Sequence, residues 1–259
     1  MNSSEAEKIV NSLIDTFILS GNVSLDLRKK GLEEKIKSDN TPVTNSDIEI
    51  NSLLTNKISA LTPNIKIISE EASTNKDNKN LQDFWLIDPI DGTNDYIHGK
   101  EEFTINAALI INKKPIAGII NAPDKRRLFY SFGPSNSFEI NNGSKKELTC
   151  KKRSKDNEIN AVSYSNNLKP EIAAIHKKYN ITNYTKMKSS LKFCVIASGE
   201  FDFYAAEPRA CEWDIAAGHA ILEHAGGYMT THEEEKFYYG KDNYKNLSII
   251  AKRASALEK

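Results

Sequence analysis

Apolar and polar positions divide the chain into helices and strands from its first residues. Ala6, Ile9, Val10, Leu13, Ile14, Phe17 and Ile18 recur at helical spacing behind a Ser4-x-x-Glu7 capping pattern, so the chain opens on an amphipathic helix. Gly21-Asn22 is expected to end it. Residues 25–40 are charged, broken by Gly31, and predict an exposed loop over a site. Thr44 is a good helix N-cap with Asp47 three residues on, and Ile48, Leu54 and Ile58 continue the helical pattern. A short strand over 64–68 runs into Ser69-Glu70-Glu71, and residues 77–80 read as an exposed loop. Phe84-Trp-Leu-Ile87 is a buried strand, and Pro89, which cannot donate to a ladder, is expected to lead the chain out of the sheet.

Strands over 103–111, 115–121 and 126–131 follow, then an arm over 137–140 before the hairpin turn Asn142-Gly143. This run of hairpins predicts a mixed or antiparallel sheet rather than repeated βαβ units, and Gly-x-Gly-x-x-Gly is absent, which argues against a dinucleotide fold. A polar stretch over 149–160 separates two halves, 1–150 and 151–259. The second half predicts a strand at 161–165, a helix at 170–179 with proline in its first turn, and a serine-capped helix at 189–199 closed by glycine. A strand at 201–205, a helix at 212–227 and a strand at 246–251 complete it. In the 212–227 helix Ala216, Ala217 and Gly218 allow close packing, Gly226 closes the end, and His219 and His224 read as ordinary helix residues rather than zinc ligands.

Composition narrows the chemistry. Lys+Arg and Asp+Glu are both 35 in 259 residues, so no global field draws the protein to a nucleic acid polymer or a membrane surface. An anionic substrate must therefore be held by local groups or metal. The cysteines, Cys150, Cys194 and Cys211, are odd in number and far apart, which predicts reduced thiols in a cytoplasmic protein. The first residues are polar and acidic, unlike a signal peptide, and no apolar run is long enough for a membrane span.

The chemistry gathers at strand ends. Asp88-Pro-Ile-Asp91-Gly92-Thr93 sets two carboxylates and a turn-forming glycine before a helix start, as hard oxygen ligands beside an anion cradle, or as a plain Asp-Pro turn. Glu70 and Glu71 end a second strand, and Glu71 reads as a solvated acid. Asp47 sits in a helix first turn, either as a cap or as part of a site. Ser189, Ser190 and Lys192 open a helix whose N-terminus either binds a phosphate or is merely capped.

Three segments in order, Ser69-Glu70-Glu71, Trp85-Leu-Ile-Asp88-Pro-Ile-Asp91-Gly-Thr93 and Trp213-Asp214-Ile-Ala-Ala-Gly218, resemble the signatures of the inositol monophosphatase superfamily of magnesium-dependent, lithium-sensitive phosphatases. Within it the chain most resembles the CysQ-type 3'(2'),5'-bisphosphate nucleotidases. Lys37 to Asp47 is similar to that subgroup's Lys-x-Asp-x-Ser-Pro-Val-Thr-x-Ala-Asp pattern, departing at Thr41 and Ser46. The segments 101–106, 189–194 and 212–214 are also similar to it.

The resemblance implies an α/β fold, a layered αβαβα sandwich with mixed and antiparallel sheets. It implies two or three Mg2+ ions. Glu70, Asp88 and the Ile90 carbonyl would hold one, and Asp88, Asp91 and Asp214 a second. Thr93, paired with Asp47, would orient the attacking water and take its proton, while the amides of Gly92 and Thr93 hold the phosphate. Glu70 would join Asp47 and Thr93 in catalysis, and Ser189, Ser190, Lys192, Glu212 and Asp214 would face the substrate. The implied reaction converts adenosine 3',5'-bisphosphate to AMP and phosphate, with inositol monophosphate or another small sugar phosphate as the competing substrate. A catalytically silent metal-binding domain is the third reading, and a homodimer stays open. Between Tyr204 and Glu212 the subgroup's Tyr-Pro-Arg is missing. Arg209 stands at a shifted position, which leaves the substrate in question.

Overall fold

Strands that are apolar on both faces require cover on both sides, and that requirement sets the layers. The computed structural model describes residues 1–38, 40–71, 80–150 and 158–254. The central strands are β4 (Phe84–Asp91), β5 (Thr104–Ile111), β6 (Lys114–Ala122) and β7 (Arg127–Ser131), with β3 (Lys66–Ser69) outside them. On the other side lie β8 (Ser137–Asn141) and β9 (Ser144–Glu147). Among the described residues they form one seven-stranded sheet in the order β3-β4-β5-β6-β7-β8-β9, parallel only between β3 and β4.

Alternate residues sort to opposite cores. Trp85, Ile87, Ile105, Leu109 and Ile119 face α1 (Ser3–Lys30) and α2 (Asn45–Leu61), through Val10, Leu13, Phe17, Ile50 and Leu54. Phe84, Leu86, Ile110, Ile120 and Phe129 face α5 (Leu191–Ala197) and α6 (Glu212–His224). Each such side chain contributes about 1.5–3 kcal/mol on full burial. Beyond α5 and α6 lies a second sheet in the order β11-β10-β12-β14-β13. Its strands are β10 (Asn160–Ser163), β11 (Asn183–Lys186), β12 (Phe203–Ala206), β13 (Tyr228–Thr230) and β14 (Ile249–Lys252). Ile172 of α4 (Pro170–Lys178) packs on its outer face with Phe203 and Ile250. The result is the expected αβαβα sandwich. Its two sheets draw on residues 66–147 and 160–252, and the polar stretch expected between them falls largely on 151–157, outside the described residues. No described helix is long and apolar enough to cross a membrane.

Several local expectations are corrected. α1 is capped by Asn2 in a reciprocal box with Glu5, not by Ser4 with Glu7, and it does not stop at Gly21-Asn22. A Cβ on Gly21 would lie 2.4 Å from Asn121 Nδ2, which donates to the Phe17 carbonyl at 2.7 Å. Tertiary packing outweighs the roughly 1 kcal/mol helix cost of glycine there. The helix ends at Gly31, where φ is 102°. The loop expected over 25–40 is thus partly helix, followed by β1 (Glu34–Ile36), which pairs antiparallel with β2 (Pro42–Thr44). Ile48 is 55% exposed, because the buried face of α2 is Ile50, Leu54 and Ile58. Pro89 does not lead β4 out of the sheet. Asp88 pairs with Asn106 and Asp91 with Thr104, so two residues oppose one, and proline sits in a bulge that needs no ladder donor.

Candidate active site

Three elements bring the acids together. β3 ends at Ser69, so Glu70 follows its last rung, while Asp88 and Asp91 flank the bulge of the neighbouring β4. The bulge increases local twist and aims both carboxylates toward one end of the sheet. Asp214 arrives from the first turn of α6, where its Oδ2 accepts from the Cys211 amide at 2.7 Å. Helix α6 lies close against the sheet: a Cβ on Gly118 would sit 2.4 Å from the Ala217 carbonyl oxygen. Glu70, Asp88 and Asp214 each offer an oxygen within 4.8 Å of the others. Asp91 adjoins them, with its Oδ2 accepting from Ser190 Oγ at 2.7 Å.

Crowded carboxylates in a dry site resist ionising together. Burial first, then the charges of Glu70, Asp91, Asp214 and Asp47, push Asp88 far above the carboxylate range. Burial and the charges of Asp91 and Glu70 lift Asp214 to about 8. Burial also raises Glu70, although Lys37 opposes the shift. Lys37 reaches Glu70 at 3.0 Å and Glu71 at 2.5 Å, and these acids hold it charged despite burial. Glu71 is therefore an ion-paired, largely buried acid, not a solvated one.

The donor set fits a hard divalent cation. Every nearby ligand is oxygen, and Asp88 Oδ1 is buried without a hydrogen-bond partner. A consequence follows for stability. Folded-state pKa values above the unfolded ones mean that the folded protein holds extra protons, so stability falls as pH rises from about 4 toward the titration of Asp214. In EDTA the melting temperature is expected to be lower at pH 8 than at pH 5, and Mg2+ is expected to raise it more at pH 8. Thermal melts at both pH values check this, and a flat or rising profile in EDTA would contradict it. Opposing slopes come from His224, lowered by burial to about 4, and His176, also lowered by burial, up to the ordinary histidine value of about 6.5, and from Lys192, lowered to about 8, above that pH. Between pH 5 and 8 the raised acids, Asp214 and Asp88 foremost, outweigh them.

Beside the acids lie Asp47 and Thr93. Thr44 caps α2, and both its amide (2.8 Å) and hydroxyl (2.6 Å) donate to Asp47 Oδ2. Burial raises the Asp47 pKa, and these bonds only partly offset it. Asp47 Oδ1 is left for Thr93 Oγ1 at 3.4 Å, whose nearer acceptor is the Ile90 carbonyl at 3.0 Å. Thr93 opens α3 (Thr93–Ile97) after Gly92, whose φ of 94° only glycine adopts freely. No side chain caps that helix.

A cavity of about 350 Å³ continues from Asp91, Gly92 and Asp214 past Ser189, Lys188, Lys192, Tyr204 and Arg209. Ser189 holds a φ of 52°. Lys192 Nζ donates to the Ser189 carbonyl and lies 5.3 Å from the Tyr204 ring centre. Arg209 stacks 4.0 Å from the Tyr164 ring centre, and the Tyr164 hydroxyl donates to Glu207 at 2.7 Å.

Two expected substrate contacts point elsewhere. Ser190 is 1% exposed and neither caps α5 nor lines the cavity; its hydroxyl accepts from Asn106 at 2.9 Å and hydrogen-bonds to Asp91 and the Asp214 carbonyl. A buried hydroxyl bonded to Asp91 and to the Asp214 backbone holds those groups in place and is turned away from the cavity. Glu212 is fully buried, and its carboxylate accepts from the Gly240 and Lys241 amides at 2.8 and 3.0 Å and pairs with the Lys241 ammonium, so it fastens a turn. Sequence reasoning missed Tyr164, Lys188 and the Lys37 countercharge. Asp39 of the Lys37 segment lies outside the described residues.

Comparison with known proteins agrees with the fold. The profile of the Inositol monophosphatase family matches residues 7–258. The chain is 36% identical over 204 residues to the 3'(2'),5'-bisphosphate nucleotidase CysQ of Buchnera aphidicola, covering 78% of this chain and 76% of that one. It is 28% identical to the CysQ of Haemophilus influenzae, covering 94% and 92%. The crystal structure of CysQ from Bacteroides thetaiotaomicron, a bacterial member of the inositol monophosphatase family, superposes with a TM-score of 0.76 at 26% identity over 97% of this chain and 98% of that one.

Proposed function

Because the chain belongs to the inositol monophosphatase family, we propose that it is a divalent-metal-dependent phosphomonoesterase whose preferred substrate is adenosine 3',5'-bisphosphate, converted to AMP and phosphate. The observation that carries this reading is one cavity lined by acids at Asp91 and Asp214 and by the cationic Lys188, Lys192 and Arg209. A substrate with two separate phosphates needs both kinds of group: one phosphate to react near the acids, the other to be held by fixed cations. The relatives named 3'(2'),5'-bisphosphate nucleotidase support the same choice.

Glu70, Asp88 and the Ile90 carbonyl would hold one Mg2+, and Asp88, Asp91 and Asp214 another, with two or three ions in all. When bound, such ions supply Lewis-acid polarisation and charge neutralisation at the phosphoryl oxygens. The chain's own groups do the rest. The amides of Gly92 and Thr93 face the scissile phosphate. Thr93 Oγ1 orients the attacking water, and Asp47, its pKa raised by burial, takes the proton relayed through that hydroxyl. Ser190 fixes Asp91 through its hydroxyl. Lys192 and Ser189 line the path to the second phosphate, and Arg209 binds it, its guanidinium lying over the Tyr164 ring. The three free thiols fit a cytoplasmic location. Lithium sensitivity belongs to the same reading, and millimolar lithium in the assay tests it.

Phosphate release from adenosine 3',5'-bisphosphate and from myo-inositol 1-phosphate, on the wild type and on Arg209→Ala, tests the substrate. The wild type is expected to favour the bisphosphate. Loss of one charge-assisted contact, about 1.5–3 kcal/mol, should lower kcat/KM for the bisphosphate by roughly 10- to 100-fold and leave the inositol phosphate rate unchanged. Equal or faster turnover of inositol phosphate by the wild type would overturn the assignment.

A further inference from the structure

On the face of the first sheet that meets α5 and α6, β5 carries the apolar Ala108 and Ile110 and, two residues before Ala108, the fully buried Asn106. Asn106 stands across the ladder from Asp88. Alternation along both strands turns the two side chains to that same face. An amide is costly in such a place. Asn106 Oδ1 is buried without a hydrogen-bond partner, and a lost buried acceptor counts against the fold. The other end of the amide is used: Nδ2 donates to Ser190 Oγ at 2.9 Å.

Counting protons shows why the amide must face Ser190 this way round. The Ser190 hydroxyl carries one proton and already meets two acceptors, Asp91 Oδ2 at 2.7 Å and the Asp214 carbonyl. An amide oxygen turned toward it would be a third acceptor competing for that proton. The amide nitrogen instead occupies a lone pair of the hydroxyl and leaves its proton to Asp91 and Asp214. Those two acids come from different elements, β4 and α6, and the Ser190 hydroxyl is shared between them.

We propose that Asn106 is a positioning residue for divalent-metal binding. It directs the Ser190 proton toward Asp91 and the first turn of α6, and so holds the acids in the arrangement that takes the ion. The inference rests on the metal assignment of the phosphatase reading and not on its substrate.

Calorimetric titration of the EDTA-stripped, dialysed full chain with Mg2+, without substrate, tests it. Outer partners of metal ligands are worth roughly 10- to 100-fold in affinity, and Ser190→Ala is expected to weaken Mg2+ binding within that range. Asn106→Leu acts one hydrogen bond further out and is expected to weaken it about tenfold. Its melting temperature in EDTA should stay at or above the wild-type value, because the unsatisfied acceptor is gone. Asn106→Ala removes the same donor without adding bulk and should weaken Mg2+ binding as much. Because Asn106 acts through Ser190, adding Asn106→Ala to Ser190→Ala should cost no further affinity. Mg2+ affinity within roughly threefold of wild type in both Asn106 variants would overturn the proposal, since a purely structural role moves the melting temperature alone. Losses that multiply in the double variant would overturn it too. A wild-type chain that binds no Mg2+ would remove the metal assignment itself, and this proposal with it.

Discussion

Asp88→Asn is expected to lower kcat by about 10³-fold or more at saturating Mg2+, while raising the melting temperature of the metal-free protein. Asp88 is 1% exposed, lies in the group of acids within 4.8 Å of one another, and has one carboxylate oxygen without a partner. Its charge is disfavoured by burial and by four neighbouring acids. Removing that charge relieves repulsion in the apo state, so stability rises. The same charge is what would share cations between two sites. Losing about 4 kcal/mol of the several that metal supplies corresponds to the stated thousandfold. Steady-state kinetics and melts in EDTA on the same variant read both effects. A rate within tenfold of wild type would contradict the assignment of Asp88, and a lower apo melting temperature would contradict the electrostatic argument.

Thr93→Val should remove the hydroxyl between Asp47 and the Ile90 carbonyl with little change in volume. General acid–base assistance is worth roughly 10² to 10⁴ in rate, so kcat is expected to fall by that much with KM nearly unchanged. Asp47→Asn should have an effect of similar size. Because the two act as one relay, the double variant should be little worse than either single one. Multiplying losses in the double variant would show that Thr93 and Asp47 act separately, and the relay would be withdrawn.

Local chemistry was the legible part of this chain. The Thr44–Asp47 cap is written within four residues and forms as read, because both partners lie on one turn. The central strands were legible because Phe84 to Ile87 are apolar on both faces. Other features depend on distant partners. Gly21 reads as a stop only until Asn121 is packed against it. Pro89 reads as an exit until the bulge opposite Ile105 accommodates it. The strand Asn183–Lys186 has a polar, mostly exposed sequence with no alternation to reveal it.

The same division runs through the site. Glu70, Asp88 and Asp214 were recognisable singly, as acids at strand and helix ends, and folding supplies their convergence. Glu212 stands two residues from Asp214, yet its position on the helix turns it to the amides of the 240–241 turn. Arg209 gained a defined place through the ring of Tyr164, itself tied to Glu207, contacts from the neighbouring strand that no local pattern announces.

The most direct measurement is phosphate release from adenosine 3',5'-bisphosphate by protein stripped with EDTA and then titrated with Mg2+. Convergent carboxylates that work through divalent cations predict no turnover in EDTA and a saturable return of activity as Mg2+ is added, absent throughout in Asp88→Asn. Turnover in EDTA at the Mg2+-saturated rate, or a Mg2+ response unchanged in Asp88→Asn, would contradict it.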